Sequence, residues 1–118
     1  ETGPEFQVLD DGGWQGELGD AQKDGSNYDM HPASASKKIN PAGEWNSARI
    51  IYNNGHVEHW LNGVKVVEFQ EDSDDYRQRL EKSKWTGYPD WNKSKTGGIS
   101  LQDHGPPVYF RSIKIKQL

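Results

Sequence analysis

Apolar and polar positions alternate most regularly in "EWNSARIIYNNGHVEHWLNGVKVVEF", residues 44–69. Two dipeptides interrupt the alternation, Asn54-Gly55 and Asn62-Gly63, and both residue types tolerate the positive φ angles that tight hairpins require. The pattern therefore predicts three antiparallel strands, over about 45–52, 56–61 and 64–69. In the middle strand Val57, His59 and Leu61 share one face, and His56, Glu58 and Trp60 share the other. A shorter alternation sets Phe6 and Val8 against Glu5 and Gln7 and predicts a strand before the Gly12-Gly13 turn. Near the end, "GISLQDH" and "VYFRSIKIKQL" predict two more strands. In the first of these Ser100, Gln102 and His104 project together, while Ile99, Leu101 and Asp103 face the other way. Arg111 shares its face with Tyr109, Ile113 and Ile115, and a cation among apolar neighbours calls for a carboxylate or a ligand oxygen.

Only one segment carries helical spacing. In "DSDDYRQRLEKSKW", Asp72 or Ser73 is a suitable N-cap, acids follow in the first turn, and Tyr76 and Leu80 lie four apart, as do Arg77 and Glu81. Residues 11–43 are rich in Gly, Asp, Asn, Ser and Pro, a stretch long enough to expect functional loops or short irregular strands. Strands joined by hairpins, with one short helix, point to an antiparallel β-sandwich. A chain of 118 residues makes a single domain of it.

Composition changes this picture in one respect. Hydrophobic residues are 31% of the chain and the mean hydropathy is −1.04, close to what a disordered segment would show. Thirteen aromatic rings, five Trp, five Tyr and three Phe, nevertheless fall mostly within the periodic stretches, so the expectation is a folded domain with a polar face or cleft. The net charge is −4 and the 14 basic residues are scattered, which argues against a nucleic-acid partner. Without cysteine there is neither disulfide nor thiolate metal site. No apolar run is long enough to span a membrane, and the first residues lack the charged and apolar regions of a signal peptide.

Candidate chemistry is sparse. Histidine titrates nearest neutrality, so His59 and His104 beside carboxylates would suit proton transfer, although each is equally at home as an ordinary sheet residue. Glu5 and Gln7 fit a binding wall or a solvated sheet face, and Asp103 fits a site or the turn at Gly105. Trp60, Trp85, Tyr88 and Trp91 could stack on sugar faces, whereas Trp45 reads as core. Oxygen and imidazole groups of Glu5, Asp103 and His104 are compatible with a divalent cation, with no spacing that requires one. Phosphate-loop, nucleophilic-serine and zinc-helix motifs are missing from the sequence.

Four separate blocks stand in a fixed order: G-P-E-x-Q-x-L-D from Gly3, G-E-W-N-x-A-R-I from Gly43, H-W-L-N-G-V-K-V from His59, and L-Q-D-H-G-x-x-V-x-F-R-x-I-K-I from Leu101. With them nearly the whole chain resembles the 3-keto-disaccharide hydrolase family. The resemblance implies a concanavalin-like jelly-roll sandwich, of which this chain corresponds to the C-terminal part, without the N-terminal strands. It also implies a substrate, a glycoside carrying a ketone at C3, and a location in the bacterial periplasm or outside the cell. Since the ketone acidifies the hydrogen on C2, cleavage by elimination and hydration needs a base, an oxyanion partner and an acid. By resemblance, Glu5 or His59 is the base and His104 the acid or oxyanion partner, while Gln7, Trp60, Gln102, Asp103 and Arg111 bind sugar. A second copy or a companion N-terminal fragment is the implied protein partner. The competing expectation is a non-catalytic, lectin-like carbohydrate-binding module, because one fold hosts both roles.

Overall fold

The computed structural model describes residues 3–118. Its regular structure is mainly β: strands β1 (Ala48–Asn53), β2 (His56–Leu61) and β3 (Val64–Gln70) form one antiparallel sheet in the order β1-β2-β3, followed by the helix α1 (Asp74–Lys82). Both hairpins form where the turn dipeptides stand, with φ of 50° and 79° at Asn54-Gly55 and of 48° and 79° at Asn62-Gly63. β1 starts at Ala48 rather than Trp45 because an asparagine network holds the preceding residues. Asn62 Oδ1 accepts from the Ser47 amide at 2.8 Å, and Asn62 Nδ2 donates to Asn46 Oδ1 at 2.7 Å and to the Lys38 carbonyl at 2.8 Å.

The alternation along β2 is realised as expected, with Val57, His59 and Leu61 buried and His56, Glu58 and Trp60 half-buried on the opposite face. On β3 the register slips, so that His59 pairs with Val67 and Trp60 with Lys65, leaving Val66 as a bulge. Val66 and Val67 are both buried in consequence, and the Val66 carbonyl accepts the Ser34 amide at 2.7 Å. That bond ties the long 11–43 stretch to the sheet. Gly25 packs beneath the same bulge at φ +84°, where an added Cβ would stand 3.2 Å from Val66 Cγ2.

Helix α1 begins where the capping chemistry predicts. Ser73 Oγ accepts from the Tyr76 amide at 3.2 Å, and Tyr76 and Leu80 turn to the core. Arg77 pairs with Asp74 and Arg79 with Asp75, rather than Arg77 with Glu81. The core beneath the sheet joins Met30, Val57, Leu61, Phe69 and Tyr76 to Trp85 and Trp91. Those two indoles stack on each other at 5.2 Å, so they are core rather than pocket wall. Trp45, expected in the core, is exposed instead.

Three expected strands carry no ladder. Residues 5–8 make only an isolated bridge, Phe6 to Asn27, although Gln7 exchanges backbone bonds with Gly25 and Ser26. Residues 98–104 and 108–118 are exposed and pair with nothing among the described residues. A strand exists only as a member of a ladder, and Ser112 at φ 55° further breaks the alternation on which a continuous closing strand would depend. The second layer of a sandwich is thus not formed by the described residues. On the core side of β1, Ile50 and Tyr52 remain half exposed although they pair with His59 and Val57.

Candidate functional site

His59, expected as a base, is 2% exposed and belongs to the core. Its ring lies 4.7 Å from Phe6 and 6.2 Å from Phe69, and Nδ1 bonds the Gly25 carbonyl at 3.0 Å. A carbonyl only accepts, so Nδ1 carries the proton. Burial pulls the imidazole pKa down to about 4. The ring is therefore a neutral packing group that fastens β2 to the Gly25 turn, and it does not face a surface where a sugar could bind. Its neighbour Trp60 projects from the opposite face of β2, where Nε1 donates to Glu58 Oε2 at 2.6 Å. The two residues expected to act on one substrate are separated by the sheet itself.

Glu5 and Gln7 flank Phe6, whose ring meets His59, and both side chains are half-buried. Their backbone is fixed by the loop opposite: the Glu5 carbonyl accepts the Tyr28 amide at 2.9 Å and the Gln7 amide donates to the Ser26 carbonyl at 3.0 Å. The first motif is thereby presented on a rigid support built from buried polar residues.

The last motif is arranged differently. Gln102 Nε2 lies 2.8 Å from His104 Nε2, confirming that these side chains share a face. Since the amide nitrogen can only donate, His104 Nε2 accepts and its remaining proton sits on Nδ1. Asp103 turns away and accepts the Gly105 amide at 2.7 Å, the turn-forming role that its position allowed. Arg111 finds a partner in an aromatic ring rather than an oxygen, its guanidinium lying 4.0 Å from the Trp45 ring centre. Glu5, Asp103 and His104 are not gathered into a cation site; the group of ligand atoms that does come together among the described residues is His56, Glu58 and Glu68.

Within the 11–43 stretch, where functional loops or short irregular strands were expected, the loop at 24–31 holds residues that no motif had singled out. Asp24, Ser26, Asn27 and His31 are all buried there. Burial pushes the Asp24 carboxyl up to about 6, against the counteracting Leu9 amide. The neighbouring Lys37 ammonium bonds Asp11 at 2.6 Å and the Asp24 carbonyl at 3.0 Å. His31 stacks on Phe69 at 4.5 Å, accepts from Asn27 Nδ2 at 2.9 Å, and is pulled down to about 4 by burial, with Arg79 adding to the effect. The signal available in the sequence was its density of Asp, Ser and Asn beside a glycine, which is also what a plain loop shows.

The family model for the 3-keto-alpha-glucoside-1,2-lyase-like domain matches residues 1–116. A 3-keto-disaccharide hydrolase of Bacteroides thetaiotaomicron is 34% identical over an alignment of 131 positions, which takes in 99% of this chain and 44% of that protein. A crystal structure from Parabacteroides distasonis, provisionally described as a glycosyl hydrolase, is 44% identical and superposes with a TM-score of 0.69 over 79% of this chain and 46% of its own. The chain thus spans less than half the length of either relative. With a match over almost every residue and all four motifs in order, the chain belongs to the 3-keto-alpha-glucoside-1,2-lyase-like domain family.

Proposed function

We propose that the chain contributes to cleavage of glycosides whose C3 hydroxyl has been oxidised to a ketone. In this reaction a base removes the hydrogen on C2 and the electron pair moves toward the C3 oxygen as an enolate. Its return expels the C1 substituent, whose oxygen takes a proton, and leaves a C1=C2 double bond. Water then adds its oxygen to C1 and a proton returns to C2, so the sum is hydrolysis without an oxocarbenium intermediate. With His59 committed to the core, Glu5 is the base we favour. His104 suits the enolate or the leaving oxygen, because Gln102 engages its Nε2 and leaves the Nδ1–H to donate. That hydrogen bond is the observation that carries the reading. Gln7, Gln102 and Arg111 are the groups proposed to orient hydroxyls and the ketone, Arg111 being held over Trp45.

The family match and the name of the Bacteroides relative support a hydrolytic role on sugars. A purely lectin-like module is less favoured, since Trp85 and Trp91, two of the rings that would form its platform, are buried. We also propose that residues 98–118 pair with further polypeptide, either a second copy or a companion segment, and that the protein works outside the cytoplasm.

The test is incubation with a 3-keto-disaccharide and with its unoxidised parent. Cleavage confined to the keto sugar, and reduced on the order of a hundredfold in His104→Ala, is expected for loss of one general acid–base or oxyanion group. Equal cleavage of both sugars would point to an ordinary glycosidase, and cleavage of neither to a binding role.

A further inference from the structure

The outer face of the sheet carries an arrangement that the sugar chemistry does not use. Glu58 and Glu68 stand directly opposite each other on β2 and β3. Two like charges in such a pair destabilise a sheet, so the position favours cations, of which Lys65 Nζ, 2.6 Å from Glu68 Oε2, supplies one. His56 lies two residues before Glu58 on the same face, and its Nε2 is 3.4 Å from Glu58 Oε1 and 3.2 Å from Glu68 Oε1. Both separations are longer than the range of about 2.7–2.9 Å for a charge-assisted N–H···O bond, and the contact to Glu58 is a long hydrogen bond. They also match the edge of a tetrahedron, about 3.4 Å, that follows from metal–ligand bonds of roughly 2.0–2.2 Å to imidazole and carboxylate. The three ligand atoms all fall within 4.8 Å of one another.

Groups outside the trio hold the carboxylates in this pose. Trp60 Nε1 donates to Glu58 Oε2 at 2.6 Å, and Lys65 Nζ donates to Glu68 Oε2 at 2.6 Å. Each donor engages the outer oxygen and leaves Oε1 turned toward His56, as supporting hydrogen bonds do around metal ligands.

We propose that His56, Glu58 and Glu68 form a binding site for a zinc-like divalent cation, three protein ligands with a fourth position open to solvent. One imidazole with two carboxylates suits zinc or manganese better than the all-oxygen shells of calcium or magnesium. The site belongs to the outer sheet face and does not depend on the proposed glycoside chemistry.

Calorimetric titration of the tag-free chain with zinc chloride alone, at neutral pH, tests the assignment. The expected result is one ion per chain, with affinity reduced at least about tenfold in Glu68→Gln and in His56→Ala and retained in His104→Ala. Glu68→Gln changes an exposed side chain, and an unaltered far-ultraviolet dichroism spectrum will show that its fold is intact. Absence of wild-type binding would reduce the trio to an ion-pair cluster. Binding that survives both site variants, or is lost in His104→Ala, would place the ion elsewhere, and each of these results overturns the proposal.

Discussion

His59 and His104 carry the same ring into opposite surroundings, and stability should tell them apart. Truncating His59 to Ala removes two aromatic contacts and the bond to Gly25, and denaturant unfolding should report a loss of about 3 kcal/mol, the usual cost of emptying an aromatic-sized core site. His104→Ala, on an exposed segment, should fall within about 0.5 kcal/mol of the parent. The buried imidazoles also set a pH dependence. His31 and His59 have folded pKa values near 4, below the ordinary 6.5, so the unfolded chain binds their protons more readily between those values. Stability is then fully present above pH 6.5 and lost as pH falls toward 4, by roughly 3 kcal/mol for each ring. Asp24 opposes this, because its folded pKa near 6 lies above the ordinary 3.8, and it returns about 3 kcal/mol over pH 6 to 4. The melting temperature should therefore drop on acidification from pH 7 to 4, and His59→Leu should flatten that drop; a melting temperature constant over this range would contradict the burial argument. Face-sharing along β2 was legible in the sequence, since Val57 and Leu61 flank His59, but nothing local said which histidine a core would enclose.

At the level of elements, what was legible is what is locally encoded. The two Asn-Gly hairpins and the capped helix appeared where expected because turn residues and caps act over a few positions. Ser73→Ala should accordingly cost about 1 kcal/mol in denaturant unfolding, the value of one N-cap. Asn62→Ala should cost about 1–2 kcal/mol, since it loses a residue suited to positive φ and the exposed hydrogen bonds to the Ser47 amide and the Lys38 carbonyl. The bulge at Val66 was invisible beforehand, as it arises from packing against Gly25 and from the bond to Ser34. Segments 5–8, 98–104 and 108–118 have strand-like patterns yet no ladder, because pairing is a property of two segments and a pattern describes only one.

For the whole molecule, the same unpaired segments leave Leu101, Val108, Phe110, Ile113 and Ile115 exposed. Sedimentation at rising concentration should show mass above the 13.4 kDa monomer, and a double change of Ile113 and Ile115 to Lys should bring it back toward monomer. Two of the four blocks that place the chain in its family, residues 3–10 and 101–115, lie on or beside these unpaired segments, so sequence revealed kinship more readily than it revealed a formed cleft. The central claim is that the chemistry begins by removing the hydrogen on C2 of a 3-keto sugar. Its most direct measurement is proton NMR of a 3-keto-disaccharide incubated with the protein in deuterium oxide, beside a protein-free control and the unoxidised parent. The account predicts replacement of the C2 hydrogen by deuterium, faster than in the control and absent from the parent; cleaved keto sugar that keeps its C2 hydrogen would contradict it.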